Sequence, residues 1–191
     1  TIRYAYNADG TLQTITDAAG RVTALSYDEN QRCTAISLPD GRTLTYGYDG
    51  EGNLIRSTDP LGTATDYGYD AGYFLTSFTK AGRTTAIAYE DTFFGKRLSA
   101  VTDAAGFVTR YATDAANPNL TRITDPRGGI TEVENIDGRT TSFKGPLGNV
   151  TRTAYNTVPG SGSFGLPVRI THPNGTTTEL DYDARGNLTR Q

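Results

Sequence analysis

Polar and apolar residues alternate along this chain in short stretches, each stopped by turn residues. Tyr4 and Tyr6, Leu25 and Tyr27, Tyr46 and Tyr48, and Tyr67 and Tyr69 sit two apart, with Thr and Ala filling much of the other face, which is the period of a β-strand. The segments that precede these strands are less regular. Leu12 and Ile15, Leu98 and Val101, and Leu120 and Ile123 are three apart, so they lie on opposite faces unless a bulge intervenes, and the sequence leaves both open. The pattern predicts an all-β fold, an antiparallel hairpin meander with strands of about six to eight residues.

The stretches recur. Tyr6-Asn7, Tyr27-Asp28, Tyr48-Asp49 and Tyr69-Asp70 are 21 residues apart, and the series continues through Tyr89-Glu90, Tyr111, Glu134-Asn135, Tyr155-Asn156 and Tyr182-Asp183 in steps of 20, 22, 23, 21 and 27. Between them falls a second mark, seen in Asp17-Ala18-Ala19-Gly20, Asp59-Pro60-Leu61-Gly62, Asp103-Ala104-Ala105-Gly106 and Asp125-Pro126-Arg127-Gly128. Asp accepts bonds from the amides ahead of it, Pro presets φ, and Gly takes a positive φ at the end of the turn. The chain therefore reads as a single array, residues 1–191, of about eight repeats with two turns each. It begins and ends inside a repeat, which leads us to expect a piece of a longer polypeptide. Extra residues collect after the tyrosines, in segments 90–97, 112–119 and 156–165, where repeat proteins make outside contacts.

Composition agrees with many tight turns and no helices: 22 Gly and 32 Thr accompany no Trp and no Met. The 21 acidic and 18 basic residues are dispersed, which points to neither a nucleic acid nor a membrane surface. No apolar run approaches a membrane span, and the N-terminal residues are no signal peptide. One cysteine excludes an internal disulfide framework.

The alternation of Tyr-Asp-x-x-Gly-Asn-Leu with Thr-Asp-Pro-x-Gly, as in Tyr182–Leu188 and Thr58–Gly62, resembles the YD repeats of the Rhs family. Such repeats occur in bacterial polymorphic toxins, in the C-component of Tc toxins, in wall-associated proteins and in teneurins. The resemblance implies a curved, spiralling sheet that forms a segment of a hollow shell. It also implies a secreted or cell-surface location, and as partner the rest of the same polypeptide, including an enclosed C-terminal domain that is a toxin in the toxin members. Asp59–Gly62 and Asp125–Gly128 read as repeat turns and not as the self-cleavage motif of those members.

Candidate chemistry is sparse. His172 occupies a position that aligns with Asp125, and Cys33 one that aligns with Leu12 and Leu54, so both read as structural and no enzyme is expected. Asn7–Gly10 and Asn135–Gly138 echo calcium loops without the downstream glutamate; no metal or cofactor is assigned. Ser161-Gly162-Ser163 reads as a flexible surface insertion. The tyrosines Tyr4, Tyr6, Tyr46, Tyr48, Tyr67 and Tyr69 form the one candidate binding surface, for a cell-surface glycan or protein, set against the reading that they only hold strands in register.

Overall fold

In the computed structural model, which describes every residue except Phe94, alternation produces strands and nothing else. Two compact units divide the chain. The first, Thr1–Ile87 with Asp103–Ala105, holds β1 (Arg3–Tyr6), β2 (Leu12–Thr16), β3 (Val22–Tyr27), β4 (Cys33–Ser37), β5 (Thr43–Tyr48), β6 (Leu54–Thr58), β7 (Ala64–Tyr69), β8 (Leu75–Lys80) and the start of β9 (Arg83–Thr92). The second, Ala88–Thr102 with Gly106–Gln191, holds the end of β9, then β10 (Gly95–Thr102), β11 (Val108–Thr113), β12 (Leu120–Thr124), β13 (Ile130–Ile136), β14 (Arg139–Lys144), β15 (Val150–Tyr155), β16 (Pro167–Thr171), β17 (Thr177–Glu179), β18 (Asp181–Tyr182) and β19 (Leu188–Arg190). Strands β1 to β17 belong to one 17-stranded sheet and β18–β19 pair separately. The antiparallel meander expected from the pattern is what forms.

The three-residue spacing is resolved by a bulge. Tyr4 pairs with Ile15 and Tyr6 with Leu12, so the β2 strand skips Gln13. Cross-strand partners share a face, which brings Leu12 and Ile15 onto the tyrosine side. The same shift recurs at Tyr27, Tyr48, Tyr69, Asn135, Tyr155 and Tyr182. Leu120 and Ile123 differ. Their ladder runs unbroken against Glu134 and Thr131, so those two side chains take opposite faces.

Both turns of a repeat share one construction. At Asp28, Gln31 N–H donates to the Asp28 carbonyl and Asp28 N–H to the Arg32 carbonyl, while Oδ1 accepts the amides of Asn30 and Arg32, each at 2.9 Å. The Asp17 turn repeats this with Ala19 and Arg21. The fourth position takes a positive φ, +82° at Gly20 and +60° at Gln31.

Little is buried. Among the described residues only Leu180 forms a core, at 8% exposure, and the accessible surface is 12560 Å², against roughly 8,900 Å² for a compact protein of this mass. In the first unit, one sheet face carries Leu25, Tyr27, Ile36, Leu44, Tyr46, Tyr48, Tyr67 and Phe78, and the other carries mostly Ala, Ser, Thr and Gly.

Candidate functional site

The repeated tyrosine closes the open end of a hairpin. In β2–β3 the ladder stops at Thr14 opposite Ala24; beyond it, the Tyr27 hydroxyl donates to the Leu12 carbonyl at 2.9 Å. Tyr48 donates to Cys33, Tyr69 to Leu54, Tyr155 to Thr140 and Tyr182 to Pro167, at 2.8–3.0 Å. Every acceptor is 15 residues back and two beyond the last ladder pair of its hairpin. The pairings within these hairpins carry no register shift, so the phenol spans the two strands just beyond the last ladder pair. The sequence held a trace of this in the constant offset of 15, but the acceptor is a backbone carbonyl that no side-chain pattern marks.

Where the tyrosine is replaced by Glu134, the wiring changes. Asn135 N–H donates to the Asn119 carbonyl, the acceptor position 15 residues before Glu134, and the Glu134 carboxylate accepts from Asn117 Nδ2 at 2.8 Å. An ion-pair chain flanks it: Arg122 joins Asp114 and Glu132, and Glu132 joins Lys144 at 3.0 Å. These contacts hold the Glu132 carboxyl below its ordinary value, Lys144 first and Arg122 second.

The six candidate tyrosines do not share one environment. Tyr4 and Tyr6 on β1 are 57% and 62% exposed. Tyr46 and Tyr48 lie on β5, where the Arg32 guanidinium sits over the Tyr48 ring, 4.8 Å from its centroid, and burial pushes the Tyr48 phenol up. Tyr67 shares a hydrogen bond with Ser57 Oγ at 3.0 Å. Tyr67 and Tyr69 also line a cavity of about 420 Å³ with Asp49, Glu51, Asp70 and Tyr73. Tyr73 was not foreseen from sequence, although a tyrosine at a turn position where Gly10, Gly52 and Gly186 stand was a visible signal.

His172 accepts Gly175 N–H at its carbonyl, as a turn residue does, and its Nε2 lies 2.9 Å from Thr178 Oγ1. Cys33 is a free thiol whose carbonyl receives Tyr48. The segment around Ser161 is a surface insertion with hydrogen bonds of its own. Asn156 Nδ2 bonds both Ser161 and Ser163, and Gly165 N–H returns to the Asn156 carbonyl, so short polar side chains staple it. Of the other insertions, 112–119 forms a turn capped by Asp114, whose Oδ1 accepts the amides of Ala116 and Asn117. Segment 90–97 lengthens β9 and β10 on either side of Phe94, which lies outside the described residues. No described helix is long and apolar enough to cross a membrane.

The family model described as RHS Repeat matches residues 6–43, 28–55, 48–86 and 163–191, together more than half of the chain. The chain belongs to the RHS repeat family. No curated protein matches it. Among solved structures, the RHS repeat chain is similar to the crystal structure of TcdB2-TccC3-TEV, with a TM-score of 0.64 and 17% identity over 98% of this chain and 11% of that one. It is also similar to that of TcdB2-TccC3, with a TM-score of 0.54 and 14% identity over 98% of this chain and 14% of that one. The RHS repeats thus span about a ninth to a seventh of those chains and share their fold.

Proposed function

We propose that the chain is a wall segment of a larger, secreted or cell-surface Rhs-type shell that encloses or displays a C-terminal domain, a toxin in the toxin-bearing case. The observation that carries this reading is the missing core. A sheet of 17 strands in a chain whose one buried residue among those described, Leu180, lies outside that sheet leaves apolar surface uncovered, and the remainder of its own polypeptide is the partner always at hand. In this reading the repeats are a single array that does no catalysis, since Cys33 and His172 serve the hairpins. The test uses the full-length polypeptide under limited proteolysis: the C-terminal domain is protected, and deletion of residues 28–48 exposes it. A C-terminal domain cleaved equally in both proteins overturns the reading.

A second reading assigns Tyr4, Tyr6, Tyr46, Tyr48, Tyr67 and Tyr69 to binding of a cell-surface glycan or protein. The concavity beside Tyr67 and Tyr69 favours it. A glycan array and a surface-protein screen that both return no hits count against it.

A further inference from the structure

Asn174 is followed by Gly175, and none of the chain's nine other asparagines precedes a glycine. The difference is chemical. Glycine carries no Cβ to crowd its own backbone nitrogen, so that nitrogen can approach the Asn174 side-chain carbonyl carbon, Cγ, and close a succinimide ring.

The pair sits at the tip of the turn between β16 and β17. Residues 173–177 are exposed, and the ladder behind them has three pairs, ending at Thr171 opposite Thr177. Gly175 N–H donates to the His172 carbonyl at 2.9 Å and His172 N–H to the Thr176 carbonyl at 2.8 Å. The nitrogen is therefore free to react only when the turn opens, and an exposed turn on so short a ladder opens at little cost.

The same turn occurs in the first unit with an aspartate in place of the asparagine. Asp9 Oδ1 accepts the Thr11 amide at 3.0 Å and the Thr11 hydroxyl at 2.7 Å. Asn174 Oδ1 accepts the Thr176 amide at 3.1 Å and the Thr176 hydroxyl at 2.7 Å. Gly10 and Gly175 take φ of +85° and +83°, and Asn7 closes its turn with the same two backbone bonds as His172. The Thr11 hydroxyl first, and its amide second, hold the Asp9 carboxyl below its ordinary value, so this turn favours a charged carboxylate.

We propose that Asn174 is a site of spontaneous deamidation, and that its turn accepts the aspartyl product without rearrangement but not the isoaspartyl one. The deprotonated Gly175 nitrogen adds to Asn174 Cγ, the Cγ–Nδ2 bond breaks and ammonia leaves. Water then opens the succinimide. Breaking the bond from the Gly175 nitrogen to Cγ gives aspartate, which takes the two Thr176 bonds as Asp9 takes those of Thr11. Breaking the bond to the backbone carbonyl carbon gives isoaspartate, whose extra backbone carbon spoils the two bonds that close the turn.

The test holds the intact chain at mildly alkaline pH, with and without urea, and maps each asparagine by peptide mass. A gain of about 1 Da, NH2 exchanged for OH, is expected at Asn174 ahead of every other asparagine, and faster in urea, where the turn no longer holds the Gly175 nitrogen. The two products are then separated, with protein isoaspartate methyltransferase marking the isoaspartyl form. His172, the sole histidine, reports on the hairpin because its Nε2 lies 2.9 Å from Thr178 Oγ1. Its ring resonances stay in place in the aspartyl product and in Asn174→Asp, and move in the isoaspartyl product. Asn174→Asp also keeps the urea midpoint of the parent chain. No gain at Asn174 without urea, or a gain no faster than at other asparagines, overturns the site. Displaced His172 resonances or a lowered midpoint in Asn174→Asp overturn the fit of the aspartyl product.

Discussion

The two units share the tyrosine clasp, which Tyr155 and Tyr182 make in the second, and differ in how regularly it recurs and in what surrounds it. In the first, Tyr27, Tyr48 and Tyr69 recur at 21 residues and each ties its hydroxyl to a carbonyl 15 back. The second contains all three inserted segments, replaces one tyrosine with Glu134, and carries the chain Asp114–Arg122–Glu132–Lys144 across its strands. A neutral hydroxyl clasp needs a constant strand length, because a phenol reaches one distance only. Longer charged side chains tolerate altered connections, at the cost of being screened by salt. Regularity and adaptability are therefore traded along one array.

Acid should perturb this comparison most. Among the described residues the first unit has six carboxyls held below their ordinary values, Asp9, Asp17, Asp28, Asp40, Asp49 and Asp59. The second has three, Asp114, Glu132 and Asp183. The causes are turn amides and nearby side chains, led by the Arg32 amide for Asp28 and the Asn53 side chain for Asp49. Because the folded values lie below the unfolded ones, the stabilisation is complete above the ordinary aspartate value of 3.8 and is lost as pH falls through the folded values. Hydrogen exchange compared at about pH 5 and about pH 2.5 should show the first unit losing more protection. Equal loss in both would remove the turn carboxylates as its cause.

Gly162→Ala comes next. A Cβ at this position runs into the Ala184 carbonyl, so the stapled segment must lift from the turn at Asp183, destabilising the second unit by about 1–3 kcal/mol. Loss of protection confined to residues after 155 would register it; an unchanged denaturation midpoint would refute the contact.

The clasp itself is tested by Tyr48→Phe, which removes one hydrogen bond and keeps the ring. A loss of about 1 kcal/mol is expected in urea. Glu134→Tyr should not stabilise the protein, because Asn117 would forfeit its carboxylate partner and the Asn119 carbonyl already accepts one bond, from Asn135 N–H. A stabilised Glu134→Tyr protein would mean that the two units are interchangeable.

The smallest effect is a gain. Gln31→Gly relieves a φ of +60° and should stabilise by about 0.5–1 kcal/mol, net of the greater freedom glycine has when unfolded. Thermal melts of the two proteins read it directly.

The repeat frame, its two turns and the structural positions of His172 and Cys33 were legible in the amino-acid order, because turn chemistry is local: Asp17 and Asp28, for example, bond amides two and four residues ahead. The bonds within the Ser161 segment were not legible: its composition marks a surface insertion, and only the folded loop brings Asn156 within reach of two hydroxyls. The strand faces stayed ambiguous for a similar reason. A bulge is a property of the pairing between two strands, so Leu12 and Ile15 could be assigned one side only once Tyr4 and Tyr6 lay opposite them. The tyrosine clasp and the cavity at Tyr73 belong to the same class. Sequence alone determined an all-β meander of RHS repeats, since period and turn residues act within a few positions. Tertiary structure decided which carbonyl each tyrosine holds and how Glu134 is accommodated, because the clasp reaches 15 positions back to a backbone carbonyl that every residue type carries alike and Glu134 meets the Asn117 side chain 17 positions away.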